Sequence, residues 1–204
     1  MRPDQDVVAA LVGRDARVLD LGCGDGALLE HLITRQGCTG MGVERDDEHF
    51  HACIARGVPV THGDLEAELR RTEPGAFDCA VLSLTLQATQ RPVEVLRQLR
   101  RVARRGVVSL PNFGHWRLRL DFALRGRMPI SPALPYQWHD TPNIHLCTLR
   151  DFEQTVGELG MRIVRRVLLD VYASPISREL LHDILRPLDD LGPERDHAAD
   201  HRVR

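Results

Sequence analysis
The sequence predicts an α/β fold wound on both faces of a mainly parallel sheet. Three observations carry this reading. Short apolar runs alternate five times with segments of helical periodicity. The first run ends in a glycine-rich turn that opens a helix, as in doubly wound sheets. The chain of 204 residues, 43% of them apolar, can bury roughly 70% of its unfolded surface in one core without cross-links.

Asp4 to Val12 sets Val7, Val8, Leu11 and Val12 at helical spacing, so a short amphipathic helix opens the chain. Arg17-Val-Leu-Asp-Leu-Gly22 is a buried strand, followed by a helix over Ala27 to Thr34. Thr39 to Glu44 is a second strand, and Glu48 to Ala55 a helix closed by Gly57. Val58 to His62 is a short third strand, and Leu65 to Arg71 a helix. Phe77-Asp-Cys-Ala-Val-Leu-Ser83 is a fourth strand. Val93 to Arg104 reads as a helix with Val95, Leu96, Leu99 and Val102 inward, and Gly106 to Leu110 as a fifth strand. Strand and helix alternate five times, which argues a parallel sheet covered on both faces.

Residues 111–147 break the rhythm. They hold five of the twelve prolines, five of the nine aromatic residues and both tryptophans. They read as an insertion after strand five, a lid over the ligand-binding edge of the sheet. Leu149 to Leu159 is then a helix with Gly160 as its C-cap, and Met161 to Tyr172 a long strand. Residues 1–191 form one domain on this reading, and the polar tail 192–204 is expected to be disordered.

Composition excludes several functions. The formal net charge of −2 excludes a grossly basic nucleic-acid binder. All 27 Lys+Arg residues are arginine. There is therefore no Schiff-base lysine, no P-loop Gly-Lys-Ser/Thr and no Tyr-x-x-x-Lys dehydrogenase site. Serines 83, 109, 131, 174 and 177 do not fall in Gly-x-Ser-x-Gly, so no nucleophile elbow for acyl transfer is present. Five cysteines, at 23, 38, 53, 79 and 147, form no C-x-x-C pair and read as reduced thiols. With no apolar signal region at the N-terminus and no apolar run near the ~18 residues of a membrane span, a cytoplasmic location without membrane contact is expected.

The glycine run Asp20-Leu-Gly22-Cys-Gly24-Asp-Gly26-Ala27 lies where the first strand turns into a helix, and glycines there let a ligand approach the backbone. Glu44 ends the next strand, where an acid accepts both ribose hydroxyls of a nucleoside. Gly22-x-Gly24-x-x-Ala27 also satisfies the dinucleotide pattern, so a nicotinamide cofactor and S-adenosylmethionine (SAM) both fit this geometry. Asp20 discriminates between them. An acid two residues before the first glycine sits badly against a pyrophosphate and well against the cationic amino-acid end of SAM. Asp64, after the third strand, is placed to accept from an adenine amino group. The bland alternative is a glycine turn with surface acids.

The run resembles motif I of class I SAM-dependent methyltransferases, with Glu44 and Asp64 in the places of the next two acidic motifs. More specific runs are Arg2-Pro-Asp4, Leu84-Thr-Leu-Gln-Ala-Thr89, Pro111-Asn-Phe-Gly-His-Trp-Arg117, Gly126-Arg-Met-Pro129 and the segment from Leu134 to Cys147. Together these resemble the methionine biosynthesis protein MetW family over about residues 2–172. The resemblance implies a seven-stranded, mainly parallel class I methyltransferase sheet with a final antiparallel strand and a lid insertion. It implies SAM or S-adenosylhomocysteine (SAH) at Asp20, Gly22, Cys23, Gly24, Gly26, Glu44, Arg45, Asp64, Leu65 and Ser83. It also implies a role beside the homoserine O-acyltransferase of methionine synthesis, and no known methyl acceptor.

Other patterns are read against simpler explanations. His49-x-His51-x-Cys53 has zinc-binding residue types, but on a helix 51 points away from 49 and 53, so a solvated face is expected. Arg97, Arg100, Arg101, Arg104 and Arg105 form a basic cluster at a helix C-terminus, where the helix dipole favours cations. No interleaved aromatics support nucleic-acid stacking there. His115 is a candidate base, though a packed lid histidine is the simpler reading. Trp116, Tyr136 and Trp138 suit a substrate pocket or a protein interface. No catalytic residue and no metal ligand is assigned. An accessory protein of an acyltransferase and a working small-molecule methyltransferase both remain open. A nicotinamide enzyme is disfavoured by Asp20 and by the lack of room for a substrate domain.

Overall fold
The computed structural model describes residues 2–131, 134–169 and 180–187. Helix α1 (Pro3–Val12) leads into β1 (Arg17–Leu21), α2 (Ala27–Gln36), β2 (Thr39–Glu44) and α3 (Asp47–Ala55). Strand β3 (Val60–His62), α4 (Leu65–Arg71), β4 (Phe77–Ser83) and a 3-10 turn (Leu86–Ala88) follow. Next come α5 (Pro92–Val102), β5 (Ala103–Pro111), α6 (Trp116–Arg125), α7 (Leu149–Glu158), β6 (Met161–Leu169) and β7 (Leu180–Pro187).

The described strands form one sheet in the order β3-β2-β1-β4-β5-β7-β6. The first five are parallel, and β7 runs antiparallel between β5 and β6. Side-chain alternation splits the core between the two faces. Val18, Cys79, Val81 and Val107 meet α1, α2 and α3 through Val8, Leu11, Leu28, Leu32 and Cys53. Leu19, Leu21, Ala80, Leu82, Val108 and Leu110 meet α4, α5 and α7 through Leu69, Leu96, Leu99, Phe152 and Val156. Strand order reverses between β1 and β4, so the crevice beyond their carboxyl ends is the place where such sheets bind ligands.

Most elements fall within two residues of the sequence expectation; three differ in substance, one of them β7, a stretch to which the residue patterns assigned no element. The helix expected to run to Arg104 stops at Val102, because Ala103 and Arg105 pair with Phe77 and Cys79 of β4. The arginine cluster therefore splits between α5 and β5. Three of its members cap other helices. Arg100 donates to Leu159 O at the end of α7 (2.8 Å), and Arg101 donates to Leu69 O (2.6 Å) and Thr72 O (2.8 Å) at the end of α4. Arg105 donates to Leu11 O (2.9 Å) and Val12 O at the end of α1. Guanidinium groups satisfy last-turn carbonyls and oppose the helix dipole. The insertion, read as a lid without elements, contains α6, whose C-cap is Gly126 at φ 61°. Residues 170–172 of the expected last strand and the tail 192–204 lie outside the described residues.

Candidate cofactor-binding site
The loop after β1 passes through Gly22, Gly24 and Gly26 at φ 72°, 57° and 76°, which side chains rarely adopt. Gly22 is fixed by a neighbour as well: a Cβ there would lie 2.7 Å from Thr85 Cγ2. Over Gly24 the space is open, with no heavy atom within 4 Å of a built Cβ. Gly26 is the N-cap of α2 and rests on Cys53, so it shapes the loop without lining the crevice.

The crevice has two halves that meet at Gly22. One is walled by Arg2, Gln5, Asp20, Gly24, His49 and Ser83, with Cys23 at its base. The other is walled by Glu44, Arg45, Asp64, Leu65, Thr85 and Gln90. Both acids beyond the loop already hold backbone. Glu44 Oε2 accepts Gly24 N–H (2.8 Å), and its Oε1 accepts Arg45 N–H (2.8 Å) and Asp46 N–H (2.9 Å). A carboxylate has about four lone-pair sites, so acceptor capacity remains for a hydroxyl. Asp64 Oδ1 caps α4 by accepting Ala67 N–H at 2.9 Å.

Asp20 differs from both. It is 1% exposed, and its Oδ1 has no hydrogen-bond partner among the described residues. Burial pushes its carboxyl up to about 7, the Glu44 charge pushes the same way, and Arg2 opposes them. Arg2 reaches over this half of the crevice, pairing with Asp4 (3.2 Å) and donating to Ser83 Oγ (3.4 Å). An orphaned buried acid is costly unless a donor meets it. A cationic ammonium in the crevice would supply that donor, the open space over Gly24 would take the neighbouring atoms, and Glu44 would receive a ribose. The residues present fit SAM or SAH.

The ten residues named from sequence thus gather around one loop, with Gly26 and Cys23 beneath it. The Cys23 and Cys53 sulfurs are 3.7 Å apart, and Cys53 Sγ donates to Gly24 O at 3.1 Å. Burial pushes both thiols up, so they pack as neutral groups. Cys53 turns inward, away from His51, whose Nδ1 lies 2.6 Å from Asp47 O. His115 is buried at the N-cap of α6 and lines neither half of the crevice. Arg2, Gln5, Thr85, Thr89 and Gln90 line the crevice but carried no cofactor role in the sequence. Arg2, Thr85 and Thr89 lay in runs marked only for resemblance.

Comparison with known proteins gives the family and the fold. The family profile described as "Methionine biosynthesis protein MetW" matches residues 2–185. The chain belongs to the MetW family. A relative from Rhodopirellula baltica, named "Bifunctional methionine biosynthesis protein MetXA/MetW", is 34% identical over 177 residues, 82% of this chain and 28% of that protein. A ubiquinone biosynthesis O-methyltransferase from Pseudomonas aeruginosa is 30% identical over 141 residues, 66% of this chain and 60% of the relative. This MetW chain thus spans less than two thirds of either relative's length. Magnesium protoporphyrin IX methyltransferase from Synechocystis, solved with bound SAH, superposes with a TM-score of 0.65 at 17% identity, covering 90% of this chain and 82% of that one. The fold is that of the SAM-dependent methyltransferases. No helix among the described residues is long and apolar enough to cross a membrane.

Proposed function
We propose that this MetW chain is a SAM- or SAH-binding accessory protein that acts with a MetX-type homoserine O-acyltransferase in methionine biosynthesis. The observation that carries the reading is the fused relative, in which MetXA and MetW share one polypeptide. Asp20 receives the ammonium of the cofactor, Glu44 the ribose and Asp64 the adenine edge. The other acid–base groups lining the methionine half are paired outward, Asp25 with Arg56 at 2.7 Å and His49 with Asp46 at 3.6 Å, and His115 lines neither half. The partner surface is the insertion. Trp116 is 60% exposed and Trp138 76%, and Leu120, Phe122, Leu124 and Tyr136 of the same segment are exposed as well. Soluble proteins keep apolar patches of this kind for partners, and aromatic anchors with flanking arginines suit an interface.

SAM is a downstream product of methionine, so cofactor binding that orders the insertion would report pathway output. Such coupling is reciprocal: if SAM changes acyltransferase affinity, the acyltransferase changes SAM affinity by the same factor, typically about 5- to 150-fold. Titrations of acyltransferase with and without saturating SAM, and of SAM with and without acyltransferase, test it. Unequal affinities are expected, and the Trp116→Ala/Trp138→Ala double variant should lose the partner. Equal affinities reject the coupling, and full binding by the double variant moves the interface elsewhere. The O-methyltransferase relative favours a second reading, methyl transfer to a small molecule. SAH accumulating from SAM with a metabolite pool, and vanishing in Asp20→Ala, would establish it.

A further inference from the structure
On the other side of the 3-10 turn from the cofactor crevice, a cavity of about 100 Å³ lies between α5, α7 and the returning end of the insertion. Leu86, Val93, Leu96, Leu110 and Phe152 make its walls apolar. Gln87, His145, Asp151 and Thr155 break that lining, and the first two carry unsatisfied atoms. Gln87 is 6% exposed, and its Oε1 has no hydrogen-bond partner among the described residues. His145 Nε2 is likewise buried and unpartnered among them.

The Gln87 side chain is not free to turn away, and the His145 backbone is tied to the same turn. The Gln87 carbonyl accepts Ile144 N–H (2.9 Å) and His145 N–H (3.0 Å), which fixes the insertion to the turn. Gln87 Nε2 donates to Leu84 O at 2.8 Å, so its amide oxygen is held in place. Leu84 itself is left-handed at φ 56°, kept there by hydrogen bonds from its N–H to Ser109 O (3.1 Å) and Ser109 Oγ (3.0 Å). Strain and orphaned polar atoms persist where the surroundings over-determine them, commonly at ligand sites.

We propose that this cavity is a second ligand site, separate from the cofactor crevice, for a small uncharged molecule with an aliphatic body and one hydroxyl or primary amide end. The donor of that end meets Gln87 Oε1, and a hydroxyl or amide also satisfies His145 Nε2. The walls exclude a charged ligand. Among the described residues no arginine lines the cavity, and the one carboxylate, Asp151, accepts through Oδ2 from Thr148 N–H (2.9 Å) and Thr148 Oγ (2.7 Å). By comparison with benzene in a ~150 Å³ cavity, the space suits about four to six heavy atoms. Thr85 and Ala88 face the crevice while Leu86 and Gln87 face the cavity, so the turn is a wall common to both.

The test is an NMR titration of the whole chain with cyclopentanol and with cyclopentane, which differ in the hydroxyl. Saturable shifts at Leu86, Leu96 and Phe152 are expected, with cyclopentanol tighter by roughly 2- to 13-fold, the worth of one neutral hydrogen bond. Gln87→Leu, which leaves only His145 Nε2 for the hydroxyl, should narrow the difference between the two probes. Thr155→Met leaves Gln87 and His145 in place and only fills the space from α7; it should abolish both shifts while circular dichroism stays unchanged. Absence of saturable shifts, as when an ordered water alone pairs the two atoms, overturns the proposal. So does equal affinity of the two probes for the unmodified chain, or binding that survives Thr155→Met.

Discussion

Glu44 and Gly24 are joined by a 2.8 Å hydrogen bond from the Gly24 N–H to Glu44 Oε2. The acid at the end of β2 thereby closes the glycine loop after β1, and its other oxygen holds the Arg45 and Asp46 N–H groups. One side chain shapes the floor of the crevice and faces the position proposed for the ribose.

Glu44→Ala removes the acceptor of three backbone donors and of the ribose together. Loss of a hydrogen bond to a charged group costs about 1.5–3 kcal/mol, so SAH affinity should fall roughly 10- to 150-fold. The melting temperature should fall too, and Glu44→Gln, which keeps one acceptor oxygen, should lose less of both. Calorimetry showing unchanged affinity in a folded Ala variant contradicts the assignment.

Asp20 makes cofactor binding depend on pH. Its carboxyl, pushed up to about 7 by burial, is protonated in the free protein below that pH, whereas the ammonium needs it ionised. SAH affinity should be flat above pH 7 and fall by up to about tenfold per unit below it. Stability runs the opposite way. A folded-state value above the ordinary 3.8 means that the native state holds more protons between about pH 4 and 7, so stability falls as pH rises through that window. The whole effect is of order 4 kcal/mol. Asp20→Asn should flatten both profiles; an unchanged affinity profile in that variant would assign the dependence to another group.

Gly22 and Gly24 should separate folding from binding. Gly22→Ala puts a methyl group 2.7 Å from Thr85 at φ 72°, and about 1–3 kcal/mol of stability should be lost. Adding Thr85→Ala should return part of it. Gly24→Ala meets no atom within 4 Å and carries only the left-handed cost of about 1–2 kcal/mol, but it intrudes on the open space of the crevice. Urea unfolding and SAH titration together should show Gly24→Ala folded and binding-deficient.

Arg105 is the donor to the last carbonyls of α1, with Arg104 exposed beside it. Arg105→Met keeps the aliphatic stem and leaves Leu11 O and Val12 O without this donor. Urea unfolding should show a loss of about 1–3 kcal/mol, while Arg104→Met should stay within about 0.5 kcal/mol. Equal losses would show that charge, and not capping, sets the effect.

The sequence by itself determined the parallel strands, the loop Gly22–Gly26 and the acids Asp20, Glu44 and Asp64, because each is encoded locally. Apolar runs, glycines at the strand-to-helix turn and an acid at a strand end are readable within a few residues. Tertiary structure decided what depends on distant neighbours. Helical spacing continues through Arg104, yet ladder bonds to β4 capture the chain from Ala103, and the arginines then cap helices as far off in sequence as α1 and α7. Arg2 joins the crevice only because α1 returns to β4, where its guanidinium reaches Ser83. The orphaned state of Asp20 is likewise invisible in Val-Leu-Asp-Leu. It arises because the strand buries that carboxylate in the core while the crevice above it, built from four separate stretches of chain, supplies no donor.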